Sequence, residues 1–149
     1  MMVAVVAPSG FLPFLDSAEE KALLANAQAK SFDREQIVFD QNVPMRAIFF
    51  IESGSVRVER KDRGAIVPLA TLGVGEFFGE MSFVDGEPTS ARVVAEEPLR
   101  LRIIEPATID EMASADPRFA VRFYHSIAAI LSERLRMTSL RLYQDQSWG

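Results

Sequence analysis

A mainly β fold, a double-sheet jelly-roll β-roll with a short helix before it and a long helix after it, is what this sequence predicts. Three observations carry the prediction. Short β-branched or alternating runs recur at even spacing between about residues 31 and 104, turn-forming residues separate them, and helical periodicity is confined to the two ends. The 149 residues are 48% hydrophobic, which supplies one real core but leaves no room for a second full domain. The chain therefore divides into an N-terminal arm over 1–10 and a single domain over 11–149.

The arm is apolar, but it lacks the positive start of a signal peptide and is far shorter than the roughly 20 residues that span a bilayer. No membrane contact and a cytoplasmic location are expected. Asp16 and Ser17 then offer capping oxygens ahead of an alanine- and leucine-rich stretch with early acids, predicting a helix over about 17–28 with Ala22, Leu23 and Ala27 on its apolar face. Strands are expected at 37–39, 47–51, 55–60, 66–70, 91–95 and 99–104. The breaks at 40–42, 52–54, 61–64, 73–76 and 96–98 carry Gly, Asn, Asp or Pro. Pro106 opens a short helix over about 106–113, and Asp116-Pro117 opens a long one over about 117–143, Asp capping and Pro filling the first turn.

Composition excludes several kinds of chemistry. A formal charge of −5 gives no whole-chain argument for nucleic acid, which needs a basic face, and leaves only local patches open; no nucleic-acid partner is expected. There is no cysteine, hence no disulfide, no thiol nucleophile and no Cys/His zinc cluster. A cupin-like enzyme needs two or three histidines and a carboxylate around its metal, and the lone His125 argues against it. No catalytic residue and no metal ligand are assigned; His125 reads as a helix-surface or interface histidine.

Residues 77–93, FFGEMSFVDGEPTSARV, combine a glycine, an acid and small hydroxyl side chains where a loop can hold a phosphorylated sugar. A short helix starting near Gly79-Glu80 would aim free N–H groups and a partial positive charge at a phosphate. Gly79 lets the backbone approach closely, and Glu80 offers two acceptors to a ribose 2′-hydroxyl. Ser90 offers a hydroxyl, and the N–H groups of Ser90 and Ala91 add donors. Each residue also has a purely structural alternative: Gly75 as an ordinary turn glycine, Glu80 as a buried or capping acid, and Phe77, Phe78 and Phe83 as core.

The order of helix, roll and long helix, together with Phe78-Gly79-Glu80-Met81-Ser82 followed by Pro88-Thr89-Ser90-Ala91-Arg92-Val93, resembles the cyclic nucleotide-binding domain of the catabolite activator and kinase regulatory subunit type. The resemblance covers about residues 11–142 and includes the two glycine turns at 51–58 and 72–80. It implies an eight-stranded roll and a non-enzymatic regulatory domain with cAMP or cGMP as its ligand and no other cofactor. It assigns Glu80 to the ribose, the Met81-Ser82 turn to the cassette, and Val58, Leu69 and Phe78 to apolar walls. Leu135-Arg136-Met137-Thr138-Ser139 resembles the segment whose hydroxyls reach the purine, which implies a role for Thr138.

Thr89 departs from the pattern. The family places an arginine there, and threonine supplies neither the charge nor the bidentate fork. A hydrogen bond to a charged group contributes roughly 1.5–3 kcal/mol, so its loss weakens binding by about 10- to 100-fold or more. Arg92, three residues on, is the compensating candidate.

On the long helix, Phe119, Phe123, Ile127, Ile130, Leu131, Leu135, Thr138 and Leu142 draw one apolar stripe, longer than one small roll needs. It fits either a homodimer through that helix or packing along the helix's own roll. Arg134 and Arg136 are expected to complement the helix C-terminal dipole, with stacking over a base as the alternative. No helix-turn-helix follows, so the expectation is a stand-alone sensor, or a sensor cut from a longer chain, in which ligand binding is coupled to movement of the C-terminal helix. The competing expectation is a degenerate roll that binds no nucleotide and serves as a dimeric module for an unknown protein partner.

Overall fold

The computed structural model describes residues 12–148, with side chains described through residue 140. The expected arm and the side chain of Leu142 lie outside the described residues. Helix α1, Ser17–Ala25, begins with a reciprocal cap: Asp16 accepts from the Glu19 N–H and Glu19 accepts from the Asp16 N–H. It ends three residues earlier than expected because the Asn26 side chain donates to the Ala22 carbonyl at 2.8 Å and closes the last turn. Leu23 is fully buried and Ala27 is buried just past the helix, but Ala22 faces solvent, so the apolar face is narrower than expected. A carboxylate oxygen of Glu20, buried on this helix, accepts from the Leu12 N–H at 2.9 Å.

Eight strands follow: β1 Gln28–Phe32, β2 Ile37–Phe39, β3 Ile48–Ser53, β4 Val56–Asp62, β5 Ala65–Leu72, β6 Phe77–Phe78, β7 Arg92–Ala95 and β8 Leu99–Ile104. They form two four-stranded antiparallel sheets, ordered β1-β8-β3-β6 and β2-β7-β4-β5. This is the double-sheet roll. Two strands were not marked by the sequence. β1 is polar and exposed except at Phe32, and β6 is only two residues long. β5 is a sheet edge with Ile66, Val67 and Leu69 exposed, and its register against β4 shifts opposite Pro68.

Strand alternation splits the core in two. Phe49 and Ile51 of β3 and Leu99 and Leu101 of β8 point between the sheets, joined there by Phe32, Phe39, Val56, Phe78 and Val93. Ile48 and Ile104 point the other way, into a second cluster built with the helices: Leu23, Phe83, Ile109, Phe119, Phe123 and Ile127. Fully burying one such side chain contributes about 1.5–3 kcal/mol, so both faces of the first sheet are strongly held. Phe77 joins the helical cluster and Phe78 the inter-sheet one, so the shortest strand has a side chain in each core.

Helix α2, Glu80–Asp85, is a single short turn-and-a-half; α3 is Pro106–Ala115 and α4 is Pro117–Trp148. Both C-terminal helices run past their expected ends. The stripe on α4 divides: Phe119, Phe123, Ile127 and Ile130 are buried and Leu131 is half-buried, while Leu135 and Thr138 are exposed. His125 is exposed and stacks face to face on Phe14, ring centroids 3.8 Å apart. Among the described residues no helix is long and apolar enough to cross a membrane.

Candidate functional site

The site begins where β6 ends. Gly79 adopts φ +86°, and a Cβ there would sit 2.6 Å from the Ala47 carbonyl oxygen. Glycine is therefore required by the backbone just before β3, before any ligand is considered. The left-handed residue turns the chain into α2, whose first residue, Glu80, is buried at 7% exposure. Gly86, also left-handed, ends the helix, and residues 87–91 return the chain to β7.

Around this turn lies a cavity of about 630 Å³, within the size range of small-molecule sites. Its walls come from β4 and β5, the stretch from Gly75 to Ser82, residues 89–91 with Val93, and one face of α4. Every expected site residue lines it except Arg92. The Arg92 guanidinium lies 3.1 Å from Glu59, which also receives Arg57. The side chain is held along the sheet by this pair with the buried Glu59 and does not line the cavity.

Thr89 also differs from expectation. Its hydroxyl donates to the Asp40 carbonyl at 2.7 Å and accepts from the Val43 N–H at 3.0 Å. Its backbone N–H donates to Val43 and its carbonyl accepts from Asn42. All four bonds tie the cassette to the loop between β2 and β3, and the hydroxyl proton is not directed at the cavity. The Thr138 hydroxyl likewise donates back to the Arg134 carbonyl at 3.0 Å, a bond within α4.

The largest correction concerns Arg134. Rather than serving the helix terminus, its guanidinium enters the cavity wall, pairs with Glu80 Oε1, donates to the Phe77 carbonyl at 3.1 Å, and lies 4.9 Å from the centre of the Phe77 ring. Glu80 Oε2, on the same carboxylate, is buried without a hydrogen-bond partner. Ile130, Glu133 and Met137 complete this wall. With Arg134 their spacing of three and four puts them on one helix face; of these residues Glu133 alone was not named from the sequence.

Residues 29–116 match the sequence model of the cyclic nucleotide-binding domain. The chain belongs to that family. It is 33% identical over 120 residues to the cyclic AMP receptor protein of Thermus thermophilus, covering 80% of this chain and 54% of that protein. It is 32% identical over 115 residues to cyclic GMP-binding protein C of Dictyostelium discoideum, covering 76% of this chain and 4% of that protein. The crystal structure of the Thermus thermophilus catabolite activator protein superposes with a TM-score of 0.77 at 31% identity, covering 89% of this chain and 61% of that one. The chain thus spans about half or less of the length of these curated relatives. Gly79, Glu80, Thr89 and Ser90 all lie within the matched residues.

Proposed function

We propose that this chain is a regulatory domain that takes a cyclic nucleotide, cAMP or cGMP, in the cavity between the cassette and α4. The supporting observation is Glu80: a buried carboxylate whose Oε2 has no partner, beside a cavity of suitable volume. A ribose 2′-hydroxyl is a donor that would satisfy that oxygen, and an unsatisfied buried acceptor of this kind carries a desolvation cost of about 1–3 kcal/mol. Val58, Leu69, Phe78 and Met81 supply apolar surface for the base and sugar. Backbone N–H groups at the start of α2 and at Ser90 and Ala91 are the donors left for the phosphate.

Arg134 supplies the coupling. Because it bridges α4 to Glu80 and to the Phe77 carbonyl, a ligand that reorganises Glu80 changes the free energy of holding α4 against the roll. The protein acts by binding and not by catalysis, and a cytoplasmic location is part of the proposal. The exposed Leu135, Met137 and Leu140 on the same helix suit a homodimer, with a further protein partner reading the helix position. A second reading, a dimeric module that binds no nucleotide, is favoured by the commitment of Thr89 to the loop and of Arg92 to Glu59.

Calorimetry with cAMP and cGMP at millimolar concentration tests the first reading. Heat from one of them is expected, with Glu80→Ala weakening binding by about 10- to 100-fold. Silence from both ligands at folded protein rules it out in favour of the second reading.

A further inference from the structure

The cavity's cations are accounted for among the described residues. Arg134 is the one cationic side chain lining it, and its fork is already engaged by Glu80 and the Phe77 carbonyl. Arg92 is turned away into its pair with Glu59, and the Thr89 hydroxyl proton belongs to Asp40. Against this stand three carboxylates in the lining, Glu76, Glu80 and Glu133. Moving Arg134 to a ligand phosphate would strip Glu80 of its counter-charge while that carboxylate is buried, and breaking a buried pair is strongly destabilising.

From this we infer that the site selects its ligand through the sugar and the base and not through the phosphate, and that it accepts an uncharged purine nucleoside about as well as the corresponding cyclic nucleotide. The recognition element is the unpartnered Glu80 Oε2, on a residue more than nine-tenths buried, which takes a hydroxyl donor. Apolar walls take the base. A phosphodiester entering the same space meets backbone N–H groups but no uncommitted guanidinium, so the extra affinity that a charge-assisted contact confers is missing. The acidic lining opposes its charge further. The inference rests on the proposed ligand cavity and specifies its chemistry.

The experiment titrates the full chain calorimetrically with adenosine and guanosine, with their 3′,5′-cyclic monophosphates, and with 2′-deoxyadenosine and 2′-deoxyguanosine. For whichever purine binds, the nucleoside and cyclic nucleotide are expected to have dissociation constants within about tenfold of one another, and the 2′-deoxynucleoside to bind about tenfold or more weakly. A cyclic nucleotide more than about tenfold tighter than its nucleoside overturns the inference and leaves the proposed function standing. Equal binding of the deoxynucleoside overturns the inference as well, by removing Glu80 as the selecting group. Heat from no nucleoside or cyclic nucleotide overturns the proposed function itself, and the inference with it.

Discussion

At position 89 the side chain's hydrogen bonds run into the roll, to Asp40 and Val43. Thr89→Val keeps the shape, removes both side-chain bonds and leaves the Val43 N–H without its acceptor. A loss of about 1–3 kcal/mol is expected, read as a lower urea midpoint at unchanged slope. Such a role was not legible from the sequence, because it depends on a loop 46 residues away in the chain. Glu80, by contrast, was marked in the sequence by the whole 77–93 pattern, with a buried acid as its structural alternative, and it is buried. Its partner was not so marked. Arg134 lies 54 residues further on, and only the packing of α4 over the cavity brings the two together. Gly79 shows a third relation: the residue was rightly singled out, and the cause proved to be the nearby Ala47 carbonyl and a positive φ.

Elements with strong periodicity or strong punctuation were the readable ones. β8 falls where its alternation puts it, and α4 begins where Asp116-Pro117 places it. β1 carries almost no hydrophobic signal because it is an edge strand with one buried side chain, and a two-residue strand such as β6 has no period at all. α4 itself changes character along its length. Phe119, Phe123, Ile127 and Ile130 are buried, whereas Leu135, Met137 and Leu140 meet solvent. A helix apolar beyond its own roll suits pairing with a second copy. Leu135→Glu is accordingly expected to shift the light-scattering mass from that of a dimer to that of a monomer without changing the helical circular dichroism signal. A monomeric mass for the unaltered chain removes the dimer.

Across the whole molecule, ion pairs join elements that also meet in the core. Glu19 on α1 meets Arg122 on α4, and Glu52 on β3 meets Arg102 and Arg100 on β8. Hydrogen bonds from Arg122 hold the Glu19 carboxyl below its ordinary value of 4.5, and those from Arg102 and then Arg100 do the same for Glu52. A carboxyl with a lowered folded value contributes stability above its unfolded value and loses it as pH falls through the folded one. The melting temperature is therefore expected to be flat near neutral pH and to fall below about pH 4.5, more gently in Glu52→Gln, where one proton-linked group is gone. These pairs are exposed enough for salt to weaken them. The outer strand β5 imposes a different requirement. It leaves Ile66, Val67 and Leu69 uncovered at the rim of a sheet, a template on which the same strand of another molecule could be laid. Pro68 lies in the middle of that run, where it supplies no N–H and coincides with the break in register. Its presence interrupts the ladder that intermolecular stacking would need, so an apolar edge can border an open cavity without inviting polymerisation.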